Sequence, residues 1–89
     1  MIEKTVKIKN KLGLHARAAV KLMNLANRFN SSVRITRDGN EVDAKSILGI
    51  LTLAAVKGSK ITIKVSGKDE QKAINALVDL VDNKFEEEE

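Results

Sequence analysis

The chain has one histidine, His15, and no cysteine, so nucleophilic chemistry near neutral pH falls to a single imidazole. That histidine stands in Gly13-Leu14-His15-Ala16-Arg17, where a turn-permitting glycine gives way to a helical pattern. The first N–H groups of a helix lack intrahelical acceptors, and the dipole there favours negative charge. An anion carried on His15 would meet the N–H groups of Ala16 and Arg17, with a guanidinium two residues away. Free imidazole titrates near ~6.5, so a neutral, nucleophilic ring is abundant around neutral pH. A phosphate bound through a ring nitrogen needs this kind of environment. On spacing alone, a histidine that only caps or decorates the helix start is an equally good reading.

Ser46 is the second candidate. It directly precedes Ile47-Leu48-Gly49-Ile50-Leu51 in the position of a helix N-cap, where a serine stabilises by ~1 kcal/mol with no further duty. A phosphate at the same position is also favourable for the helix, so the two roles are compatible. Ile47, Leu48 and Leu51 are more apolar groups than one short helix buries on one face. They are read as an exposed patch beside His15, joined by Val20, that docks partners; a deeper core is the alternative.

The elements that must position these residues follow from periodicity. Ile2, Val6 and Ile8 alternate with polar residues as a half-buried strand. Ala19, Leu22, Met23, Ala26 and Phe29 form one apolar helix face, closed by Asn30-Ser31-Ser32. Val33 and Ile35 alternate up to Asp38-Gly39, a tight hairpin turn, and Val42 centres the return strand. The helix capped by Ser46 is expected to end near Val56-Lys57-Gly58. Ile61, Ile63 and Val65 make another alternating strand. Asp69 then caps a last helix with the stripe Ile74, Leu77, Val78, Val81 and Phe85. The order β-α-β-β-α-β-α, with strands apolar on one side only, predicts an α+β protein with an antiparallel sheet covered on one face. Residues 1–85 are read as one domain. Residues 86–89 are read as an acidic tail that frays, because carboxylates at a helix C-terminus oppose its dipole.

Composition narrows the function classes. The 89 residues include two Phe and no Trp or Tyr, so aliphatics build one modest core. Without cysteine, and with one histidine, neither disulfides nor a structural zinc site have ligands. The N-terminal segment is neither a signal peptide nor a membrane span, which points to a soluble cytoplasmic protein. The net charge of +4 conceals an asymmetry, since outside Glu86–Glu89 sixteen bases face eight acids. A basic body invites nucleic acid, anionic membrane or acidic protein partners. Nucleic acid is disfavoured because no helix carries a basic recognition cluster and no stacking aromatics are available.

Gly13-Leu14-His15-Ala16-Arg17-Ala18-Ala19 resembles the phosphorylation-site motif of the HPr family, the histidine-containing phosphocarriers of the bacterial sugar phosphotransferase system. Lys45-Ser46-Ile47-Leu48-Gly49-Ile50-Leu51 is similar to the regulatory serine segment of the same family. The length, element order and motif separation agree over essentially the whole chain. The resemblance implies an open-faced β-sandwich, with three helices on one face of a four-stranded antiparallel sheet. It implies that His15 takes a phosphoryl group from Enzyme I and passes it to EIIA proteins or domains. Arg17 would pair with the phosphoryl oxygens, and the backbone N–H groups of Ala16 and Arg17 would complete the site. Ser46 would be the target of a serine kinase/phosphorylase, reducing transfer and promoting binding to a transcriptional regulator in carbon catabolite regulation. The docking surface would comprise Ala16, Val20, Ile47, Leu48 and Leu51.

The same resemblance implies a monomeric carrier that needs no cofactor or metal and is not an autonomous enzyme, since a lone histidine lacks a catalytic constellation. Two departures stand out. Ala18 replaces a common proline, which would pre-set the first helical turn. Asn24 and Asn27 replace residues that are often basic, which leaves room for a paralogue serving a regulatory, non-sugar phosphorelay.

Overall fold

The computed structural model describes residues 1–87. The alternating segments form four strands, β1 (Ile2–Lys7), β2 (Ser32–Arg37), β3 (Asn40–Asp43) and β4 (Lys60–Ser66). They pair antiparallel in the order β1-β4-β2-β3. Register puts Val33 opposite Val65 and Ile35 opposite Ile63, while Val6 faces Ile61. These side chains are buried on one face of the sheet. The other face is open and polar: Thr5 and Thr62 share a hydroxyl contact of 2.9 Å, and Lys64 pairs with Glu41 at 3.2 Å. The β2–β3 turn takes Asp38 and Gly39 through positive φ, 50° and 85°, the conformation a two-residue hairpin demands.

Three helices cover the apolar face: α1 (Ala16–Ala26), α2 (Ile47–Thr52) and α3 (Glu70–Asp82). From α1 come buried Ala18, Ala19, Leu22 and Ala26, and from α3 come Ala73, Ile74, Leu77 and Val81. This is the open-faced α+β sandwich expected. Ala18 is fully buried, and the first turn of α1 forms there without proline.

Three local readings need correction. The helix after Ser46 ends at Thr52, not near Val56. Ala54 turns through φ 50°, and the chain then runs beneath the His15 loop, where the Ala55 carbonyl accepts the Leu14 N–H at 2.8 Å. Asp69 occupies the N-cap position of α3 but makes no capping bond. Its carboxylate instead accepts the Ser31 hydroxyl and the N–H groups of Ser31 (3.0 Å) and Asn30 (2.9 Å), tying α3 to the entry of β2.

The third correction concerns the tail. Phe85 lies beyond α3 and is fully buried, and Glu86 and Glu87 fold back rather than fray. The favourable interaction is with the basic body of the domain, and the helix dipole does not decide it. Glu88 and Glu89 lie outside the described residues.

Candidate functional site

The loop between β1 and α1 is fixed from beneath. Gly58 N–H donates to the Ile8 carbonyl at 2.8 Å, and Leu14 N–H to Ala55. Gly13 sits at φ 65°, and a Cβ there would lie 2.4 Å from the Ala55 oxygen and 2.8 Å from Val56 Cα. Only glycine fits both the conformation and the space. Buried Asn10 donates its amide to the Gly13 carbonyl at 2.7 Å, closing the loop on itself. Leu14 turns inward as a core residue, which leaves His15 at the rim.

His15 is the N-cap residue of α1. Its backbone is extended, its carbonyl accepts the Ala19 N–H at 2.9 Å, and its side chain makes no capping bond. The first N–H groups of α1 are therefore left for another acceptor. Arg17 is exposed, and among the described residues its guanidinium has no ion-pair partner. An open cleft of about 910 Å³ gathers Lys11, Leu12, His15, Ala16, Arg17, Lys21, Glu86 and Glu87. Apart from its last two residues, the cleft is lined with basic and apolar groups and suits an anion.

Glu87 was not among the residues expected here. Its Oε2 is hydrogen bonded to His15 Nε2, and its Oε1 accepts the Asn10 amide at 2.7 Å. The imidazole is 27% exposed and the carboxylate 13%. Burial raises the pKa of this carboxyl, but hydrogen bonds from His15 and Asn10, helped by the Lys21 ammonium, leave it below the ordinary carboxylate value. The segment is held by buried Phe85, whose carbonyl accepts Lys21 Nζ at 2.7 Å. Lys84, Phe85 and Glu86 have φ of 57°, 55° and 62°, a left-handed turn that costs non-glycine residues roughly 1–2 kcal/mol each. Asn10 also escaped the sequence reading. The available signal was the pairing of a basic body with four terminal acids just after an aromatic anchor.

Ser46 caps α2, its Oγ accepting the Gly49 N–H at 3.3 Å, and is exposed. Of the apolar residues proposed for docking, Leu48 is 73% exposed, Val20 39% and Leu51 37%, while Ile47 is half-buried against the core. α2 packs against α1, so these groups lie on adjoining helices. Leu12 and Val56 add two exposed apolar groups that the sequence did not single out. Asn24 lines the groove between α1 and α3, and Asn27 caps the end of α1. No cluster able to hold a metal occurs among the described residues, and among them no helix is long and apolar enough to cross a membrane.

Comparison with known proteins gives a consistent result. Residues 2–83 match the family described as PTS HPr component phosphorylation site. The chain is 51% identical over 89 residues to the phosphocarrier protein HPr of Cupriavidus necator, covering all of both chains. It is 46% identical over 82 residues to the HPr-like protein Crh of Halalkalibacterium halodurans, covering 92% of this chain and 98% of that protein. Among solved structures, HPr-C-His from Thermoanaerobacter tengcongensis superimposes with a TM-score of 0.96 at 45% identity, covering 100% of both chains. A sequence match over nearly the whole length, together with the same fold, places the chain in the HPr family of phosphocarrier proteins of the phosphotransferase system.

Proposed function

We propose that the protein carries a phosphoryl group on His15, taking it from Enzyme I and delivering it to EIIA proteins or domains in the cytoplasm. The supporting observation is that His15 stands at the N-terminus of α1 without capping it. The ring nitrogen Nδ1 is three bonds from Cα, where the capping oxygen of an Asn or Asp would be. A phosphoryl group on Nδ1 therefore reaches the free N–H groups at the head of α1, those of Ala16 and of Arg17, the second of which a capping oxygen would have taken. Arg17, exposed beside them, is placed to pair with the phosphoryl oxygens. Catalysis of each transfer resides mainly in the partner, because Glu87 contacts the far ring nitrogen and no acid or base of this site faces the group being transferred. Incubation with Enzyme I and phosphoenolpyruvate should give acid-labile label on the wild type and none on His15→Ala. An unlabelled wild type, under conditions that label another HPr, would sink this reading.

A regulatory role for Ser46 is the second proposal, supported by its exposure at the head of α2 beside Leu48 and Leu51. A phosphate there leaves the helix intact, since it meets the free N–H groups of the first turn. Its effect is then on the docking surface, through charge beside apolar groups. Ser46→Asp should slow transfer from Enzyme I at unchanged stability; an identical rate would count heavily against it.

A further inference from the structure

We infer that Glu87 is a positioning residue for phosphoryl transfer, its carboxylate holding the proton on His15 Nε2 so that the Nδ1 lone pair is free to take phosphorus. This rests on the carrier reading of His15. An ionised carboxylate only accepts hydrogen bonds, so the nitrogen it contacts carries the hydrogen. A neutral imidazole has one N–H, and placing it on Nε2 leaves Nδ1 bare. The geometry makes this contact specific. Oε1 is held by the Asn10 amide, and that amide is held in turn by the Gly13 carbonyl two residues before His15. The carboxylate is thus tied to the same loop that carries the ring. Phe85 in the core and Lys21 on its carbonyl fix the turn that delivers Glu87.

An acidic residue at an anion site invites the opposite reading, a plug that occupies the phosphoryl position. The contacts speak against that. A plug would bind the groups that bind phosphate, yet among the described residues neither the N–H groups of Ala16 and Arg17 nor the Arg17 guanidinium bonds the carboxylate. Glu87 sits on the distal nitrogen and leaves the helix terminus open.

The step balances without moving a proton. The Nδ1 lone pair forms the Nδ1–P bond as the bond from phosphorus to the donor's leaving oxygen or nitrogen breaks, its pair departing with the donor. The Nε2 proton stays, and the ring becomes an imidazolium facing the Glu87 carboxylate. In onward transfer to a nucleophilic side chain of the next carrier, the N–P pair returns to Nδ1 and the imidazole leaves neutral. The same protonated nitrogen serves both directions.

The test is ¹⁵N NMR of the His15 ring on the full chain, wild type, Glu87→Gln and Glu87→Asp, at a pH where the ring is fully neutral. Initial rates of labelling by Enzyme I and phosphoenolpyruvate are measured in parallel. A charge-assisted hydrogen bond biases the tautomers by roughly tenfold or more. Glu87→Gln should therefore lower the Nε2–H to Nδ1–H ratio about tenfold and slow labelling several-fold, with Glu87→Asp recovering part of both. An unchanged ratio overturns the inference. So does a Gln variant labelled faster than wild type, because the carboxylate would then obstruct the site. The tautomer ratio needs no phosphoryl donor. A shifted ratio in a protein that takes no label would overturn the carrier reading and leave the Glu87–His15 coupling standing.

Discussion

The carbonyl of Ala55 lies 2.4 Å from where a Cβ on Gly13 would stand, while accepting the N–H of Leu14 at 2.8 Å. The segment after α2 therefore serves as the floor of the His15 loop, and the contact is too close for any residue but glycine.

Gly13→Ala should consequently be costly. The added methyl must displace backbone, and φ 65° is a left-handed conformation, so overpacking and backbone strain combine to about 3 kcal/mol. Urea unfolding checks the loss. Labelling should fall further than stability does, because the loop carries the acceptor. A change below about 0.5 kcal/mol would mean that the loop relaxes away from Ala55 at little cost.

Asn10 links two parts of the site through one amide. Asn10→Ala removes donors to both the Gly13 carbonyl and Glu87, at about 1–3 kcal/mol for the buried acceptor left behind. Asn10→Asp keeps the shape but turns an acceptor toward a carbonyl and a carboxylate. It should be the worse of the two for labelling at neutral pH, and its deficit should shrink in acid as the introduced carboxyl protonates. Labelling rates across pH compare them.

Much of the site was legible because it is local. His15 and Ser46 were placed at helix starts from a few flanking residues, and both are N-caps in the structure. The hairpin at Asp38-Gly39 was equally readable from two residues. What escaped depends on distant partners. Glu87 and Asn10 are 77 residues apart, and the local periodicity that placed His15 and Ser46 does not pair them. Asp69 has the composition of a cap, yet Ser31 and Asn30 compete for its carboxylate once β2 and α3 are adjacent. The early end of α2 has the same origin, since the turn at Ala54 carries the following residues beneath the His15 loop, where the Ala55 carbonyl meets the Leu14 N–H. The strand order β1-β4-β2-β3 follows from packing that alternation alone does not encode.

Leu48 tests the docking surface. At 73% exposure its side chain contributes little to the core, so Leu48→Asp should leave stability within about 0.5 kcal/mol. The concentration giving half-maximal labelling by Enzyme I should rise about tenfold, as for the loss of an apolar anchor, with the maximal rate nearly unchanged. An unaltered concentration dependence would place docking elsewhere on the molecule.

Asp69 predicts how the fold responds to acid. The Ser31 hydroxyl, and then the N–H of Asn30, hold its carboxyl below the ordinary aspartate value of 3.8. The unfolded chain therefore binds this proton at higher pH than the folded one, so the folded state gains stability as pH rises through the window. The contribution is complete above the ordinary value and is lost as pH falls below it, through the lowered folded value. Glu41 acts in the same sense, its carboxyl lowered by Lys64, so removing Asp69 alone should flatten the acid limb without abolishing it. Urea midpoints of wild type and Asp69→Asn, measured from neutral pH downward, should differ most near neutrality and converge in acid. Curves that stay parallel throughout would show that the Ser31–Asp69 link contributes no proton-dependent stability.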